Sequence, residues 1–92
     1  MDFGKAIKAL KQGKKVARKG WNGKGMYLWL KPAATVKREW CRDPYLIDIA
    51  DKNEGEFEAC AVICMKTADN KVQTGWVASQ PDMLSEDWEV VE

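Results

Sequence analysis

Side chains able to grip a small molecule are densest in Arg18-Lys19-Gly20-Trp21-Asn22-Gly23-Lys24-Gly25-Met26. Glycine lets the backbone adopt positive φ and lets a ligand come close. Around the three glycines stand an indole face, a side-chain amide that both donates and accepts, and cations for an anion. This set suits a loop that holds a flat, phosphorylated molecule. It also suits a tight turn between two strands with one aromatic tucked into the core. A second tryptophan has a similar setting: Trp76 follows Gly75 and precedes Val77-Ala78-Ser79-Gln80. For either indole alone, core packing is the commoner role. Two such places in one short chain favour a stacking clamp, in which a base gains about 1–3 kcal/mol per aromatic. Arg18, Lys19 and Lys24, with the loop amides, would then hold a pyrophosphate. Ser79, Gln80 and Asp82 would read hydroxyls and base edges. Trp88, alternating with Val90, belongs to the core, and Tyr27 and Trp29 to the sheet or an interface.

Catalysis finds less support. The chain has no histidine, the commonest general base near neutral pH. Asp82 with Glu86 or Asp87 could handle protons, yet acids near a helix start are usually caps or solvated charge. There is no phosphate-binding P-loop, nucleophile elbow or metal-ligand spacing. The expectation is a binding protein with no catalytic residue, metal or cofactor. Cys41, Cys60 and Cys64 are an odd number of thiols, as in a reducing compartment. Cys60 and Cys64 fall in one strand-like stretch, about 13 Å apart at ~3.3 Å per residue. That is too far for a disulfide or a shared zinc, and both read as small core residues.

Ninety-two residues make one domain, 1–92, with a small core. Five tryptophans are more aromatic surface than such a core readily hides, which points to oligomerisation or a cleft faced with indoles. The net charge of +1 conceals a polarity. Residues 1–42 carry nine Lys and three Arg against Asp2 and Glu39, a net +10, and residues 43–92 carry three Lys against twelve acids, a net −9. Such halves either present a basic face to phosphates or attract one another, within or between chains. No apolar run is long enough to span a membrane, and residues 1–15 are too charged for a secretory signal, so a soluble, intracellular protein is expected.

The positioning elements read as α+β: an antiparallel sheet packed around an N-terminal helix, with short additional helices. Asp2 caps a helix in which Phe3, Ala6, Ile7 and Leu10 recur at helical spacing, and Gly13 stops it. Lys14–Arg18 is a short strand with Val16 inward, and Met26–Leu30 is a central one, apolar on both faces. Residues 33–42 suit helix and extended chain alike. Asp43-Pro44 starts a short helix whose apolar side is Tyr45, Leu46 and Ile49. A single strand is expected from Glu56 to Lys66, a turn at Asp69-Asn70, and a return strand from Lys71 to Val77. Ser79 with Asp82 caps a helical turn over Gln80–Leu84, and Asp87–Val91 closes the sheet.

The opening Met1-Asp2-Phe3-Gly4-Lys5-Ala6, the run Val16 to Met26, the segment Met65-Lys66-Thr67-Ala68-Asp69-Asn70 and the run Gly75 to Trp88 together resemble a family of short phage and prophage proteins. That family includes the second type of Thoeris anti-defence protein. The Gly-Trp-Asn-Gly and Ser-Gln-x-Asp-Met-Leu-x-x-Asp-Trp strings carry the match, and residues 33–62 fit poorly. The resemblance implies a sponge: members bind cyclic ADP-ribose isomers made by Thoeris immunity and withhold them from the effector without degrading them. Some members also bind cyclic dinucleotides of another immune system, of the CBASS type, in a separate pocket. It further implies a homotetramer with sites between protomers, in the cytoplasm of the infected or lysogenic host, with no membrane partner. The expected ligand contacts are Arg18, Lys19, Trp21, Asn22, Gly23, Lys24, Met26, Trp76, Ser79, Gln80, Asp82 and Met83. Competing with a receptor requires nanomolar affinity, about 12 kcal/mol. A small nucleic-acid binder, drawing on the basic half, and an enzyme cleaving the messenger are the rival readings, the first disfavoured.

Overall fold

The computed structural model describes residues 1–92. In chain order the elements are helix α1 (Phe3–Lys11), strands β1 (Lys15–Arg18), β2 (Tyr27–Lys31) and β3 (Ala34–Lys37), a 3-10 turn (Arg38–Trp40), helix α2 (Pro44–Asp51), strands β4 (Glu56–Ala59), β5 (Val62–Lys66) and β6 (Val72–Thr74), helix α3 (Gln80–Leu84) and strand β7 (Trp88–Val91). The class is α+β. The elements group into two units, Met1–Lys31 with Val62–Glu92, and Pro32–Ala61.

In the larger unit α1 starts where Asp2 accepts the Lys5 N–H at 2.8 Å, and Lys8 and Lys11 lie in its last turn, the favourable end for cations. The sheet runs β6-β5-β2-β1-β7 with every pairing antiparallel. The doubly apolar Tyr27–Lys31 strand is thus central, as its composition requires. Alternation along the strands puts Val16, Leu28, Met65 and Trp88 on the face that meets Ala6, Ala9 and Leu10 of α1, and these form the core. Fully burying a residue such as Leu10 or Leu28 contributes about 1.5–3 kcal/mol. Thr67 and Asn70 make the β5–β6 turn: Asn70 takes φ +63°, and the Lys71 N–H donates to Thr67 Oγ1 at 2.9 Å. The return strand is shorter than Lys71–Val77. Gly75 at φ +78° turns the chain out of it, leaving Trp76 to hold Ile63 through one backbone bond of 2.8 Å.

Within the smaller unit β3 and β4 pair from Ala34↔Ala59 to Lys37↔Glu56. Residues 33–42 are therefore strand followed by a 3-10 turn. Two expectations are corrected here. The stretch Glu56–Lys66 is two strands in two sheets, broken at Cys60-Ala61; β4 bonds to β3, whereas β5 bonds to β2 and β6. Consequently Cys64 is buried but Cys60 is exposed. Helix α2 begins as the sequence says, Asp43 accepting from the Tyr45 N–H at 2.8 Å. Its inward side is nevertheless Ile47 and Ala50, with Tyr45 81% and Ile49 50% exposed and Leu46 exposed too. The helix is apolar over most of its circumference, and its packing on β4 selects a different arc from the one the sequence pattern indicated.

Candidate functional site

Arg18 ends β1 on the same sheet face as Val16, because alternate residues share a side. Lying beyond the apolar core, its guanidinium reaches α3 and the approach to β7. There Nη1 donates to Asp82 Oδ1 at 2.8 Å and Nε to Asp87 Oδ1 at 2.9 Å. The Trp21 Nε1–H donates to the same Asp82 Oδ1 at 3.2 Å, and the Gly20 N–H to Asp87 Oδ2 at 2.8 Å. Asp82, the third residue of α3, also closes a capping box: its Oδ2 accepts the Ser79 N–H at 3.2 Å while its own N–H donates to Ser79 Oγ at 3.2 Å. One carboxylate, 9% exposed, thus joins a strand end, the glycine loop and the start of a helix.

Above this network the indoles meet edge to face. Trp88 is the hub, buried in the core, with Trp21 at 5.4 Å and 80° and Trp76 at 6.3 Å and 81°. Trp21 and Trp76 touch at 6.4 Å and 65°. Such tilted pairs put ring edges against π faces, the favoured arrangement. Two indoles clamping a base between them must lie parallel and about 7 Å apart, two van der Waals gaps. Trp21 and Trp76 stand otherwise, so a base would stack on an outer face of the pair. Both are half-buried, and the chain by itself encloses no pocket beside them.

The electrostatics follow from the contacts. Bonding to Asp87 and Asp82 raises the Arg18 pKa above its ordinary value, and the same guanidinium holds the Asp87 carboxyl below the usual carboxylate range. For Asp82 burial pushes upward, but the bonds from Arg18, Trp21 and Ser79 outweigh it and leave the pKa lowered. All three groups are charged at neutral pH. Asp82 and Asp87, named as a possible proton-handling couple, are instead the two partners of one arginine.

The glycine loop is packed against its own protein more closely than its composition suggests. Only Gly25 of its three glycines takes positive φ, +74°, and its carbonyl accepts from Lys66 Nζ at 2.9 Å. Gly20 and Gly23 are glycines for closeness: a Cβ on Gly20 would sit 2.7 Å from Asp87 Oδ2, and one on Gly23 would meet Met26 Sδ and stand 2.9 Å from Ala68 Cβ. The amides of Lys19, Gly20 and Trp21 donate to Asp87 O, Asp87 Oδ2 and Arg18 O, so these three point at protein acceptors. Of the expected contacts, Arg18, Trp21, Trp76, Ser79 and Asp82 are brought together directly. Lys19 is exposed, 4.0 Å from Glu89. Asn22, Lys24, Gln80 and Met83 are exposed, Gly23 and Met26 half-buried. Sequence reasoning missed the part played by Asp87, which is set by the pairing of β7 with β1 and not by a local pattern. The ion pairs Arg18–Asp82, Arg18–Asp87 and Lys19–Glu89 show the basic and acidic halves joining within one chain.

A family model described as the Thoeris anti-defense 2-like domain matches residues 1–91. The chain belongs to that family. It is also 43% identical over 93 residues to a protein of Bacillus phage SP01 named Thoeris anti-defense 2, an alignment covering 99% of this chain and 94% of that protein. Membership of the Thoeris anti-defense 2 family carries a role in phage anti-defence. The match includes residues 33–62, where the motif resemblance is poor, as well as the network around Arg18. No helix of the chain is long and apolar enough to cross a membrane.

Proposed function

We propose that the chain is a sponge, binding cyclic nucleotide immune messengers and withholding them unaltered from the effector they activate. The observation that carries this is the convergence of two half-buried indoles, Trp21 and Trp76, with the Ser79–Asp82 helix start, in a member of an anti-defence family. The ligand class is the cyclic ADP-ribose isomers of the Thoeris system, with cyclic dinucleotides as a second class. Stacking on an indole contributes about 1–3 kcal/mol per base. Lys19 and Lys24 supply charge for phosphate, and Asn22, Ser79 and Gln80 hydrogen bonds at the rim. Nanomolar binding needs more than one open face provides. Val77, Met83 and Leu84, all exposed, flank the site, and a second copy closing over them would supply the opposite wall, within a homotetramer in the host cytoplasm.

The experiment is to add the protein to a lysate containing the messenger and follow effector activity. A sponge lowers that activity, and boiling releases intact messenger and restores it. Activity that falls and stays lost after boiling identifies an enzyme cleaving the messenger, and activity that never falls removes the proposal.

A further inference from the structure

We infer that Arg18 is a positioning residue, which orients the Trp21 indole and the Gly20 turn through Asp82 and Asp87 and does not itself hold a phosphate. The inference rests on the ligand-binding role proposed above and relocates the charge in that site. Its geometric basis is a pair of shared carboxylates. Asp82 Oδ1 receives both Arg18 Nη1 and Trp21 Nε1, so the tilt of the indole depends on where the guanidinium lies. Asp87 does the same for the backbone: Oδ1 takes Arg18 Nε and Oδ2 takes the N–H of Gly20, the residue before Trp21. One guanidinium is thereby communicated to the side chain and the main chain of the same tryptophan.

The charges agree. Arg18 stands between two carboxylates at 2.8 and 2.9 Å, and the three groups sum to a single negative charge. An anion nearing them meets net repulsion. The Nε and Nη1 donors are both engaged by carboxylates, and the Arg18 side chain is 17% exposed. A bidentate grip on phosphate needs a guanidinium fork free of competing carboxylates. The cations left for a phosphate are Lys19 and Lys24, both exposed.

Asp87→Asn gives opposite signs for the two roles. With Arg18 as the phosphate ligand, removing a competing negative charge frees it, and a cyclic ADP-ribose isomer binds more tightly in calorimetry. With Arg18 as a positioning residue, the near-isosteric amide loosens the grip on the turn and binding weakens about tenfold. Arg18→Gln is the second variant, measured at low and high salt: positioning leaves the salt dependence of affinity at the wild-type slope, whereas a lost phosphate contact flattens it by about one charge. A readout without ligand separates this inference from the sponge reading. The Trp21 indole N–H resonance of labelled protein is expected to shift in Asp87→Asn and in Arg18→Gln. An unmoved resonance, or tighter binding by Asp87→Asn, overturns the positioning role. Should the wild-type protein bind no cyclic nucleotide, the sponge reading fails, and the resonance alone still decides whether Arg18 sets Trp21.

Discussion

Trp21 Nε1–H donates to Asp82 Oδ1 at 3.2 Å across a sequence separation of 61 residues. That bond fastens the glycine loop to a helix start, and it does so through an oxygen already held by Arg18 at 2.8 Å. The loop is therefore anchored on a charged network beneath it, with its exposed residues, Asn22 and Lys24, carried on a fixed base.

Removing the shared acceptor should be felt at once by three donors. In Asp82→Ala the Arg18 guanidinium, the Trp21 indole and the Ser79 N–H all lose a partner at a nearly buried position. The expected loss is about 2–4 kcal/mol, read as a lower urea midpoint at unchanged slope. Asp82→Asn, which keeps an acceptor, should lose less.

Acid should undo the same network. Asp82 and Asp87 are held below the ordinary carboxylate range, whereas in the unfolded chain they protonate near ~3.9. Below that value the unfolded state binds more protons, so stability rises with pH there and is complete above it. The melting temperature should be flat from neutrality down to about pH 5 and fall below about pH 4. In Arg18→Gln the two folded-state carboxyls lose the partner that lowers them, so the acid-dependent fall should be smaller.

Glycines should divide by what surrounds them. Gly20→Ala places a methyl 2.7 Å from Asp87 Oδ2 and is expected to cost about 1–3 kcal/mol. In Gly4→Ala, within α1, the new methyl comes no closer than 3.5 Å to Asp2 Oδ1, and the helix should gain about 0.5 kcal/mol. Thermal unfolding of the two variants checks both signs.

On α2 the inward arc is testable by polarity. Tyr45→Ser and Ile49→Ser should each change stability by less than about 0.5 kcal/mol. Ala50→Leu, at a position with no exposure, should cost about 1–3 kcal/mol. A reversed ranking in denaturant titrations would return the buried side to Tyr45, Leu46 and Ile49.

Substituting the indoles affects fold and ligand together. Trp21→Ala should weaken binding tenfold to a hundredfold, as loss of about 1–3 kcal/mol of stacking requires. Because Trp21 also packs on Trp88, stability should drop by about 2–3 kcal/mol as well. Trp21→Phe keeps a stacking ring but loses the donor to Asp82. Comparing the two by calorimetry separates stacking from anchoring.

What the amino-acid order determined by itself is the set of caps and turns made by neighbours two to four residues apart. Asp2 over Lys5, Asp43-Pro44, the Ser79–Asp82 capping box and the Thr67–Lys71 turn are local hydrogen bonds, and each stands where its residues put it. Val16 pointing inward and Trp88 in the core likewise follow from strand alternation. Tertiary structure decided what depends on distant partners. Glu56–Lys66 alternates like a single strand, and only the separate attachments of β4 to β3 and β5 to β2 and β6 break it. Arg18 beside three glycines looks like a cation awaiting a phosphate. Its acceptors lie 64 and 69 residues further on, and no local pattern announces which charge across that distance will reach it first.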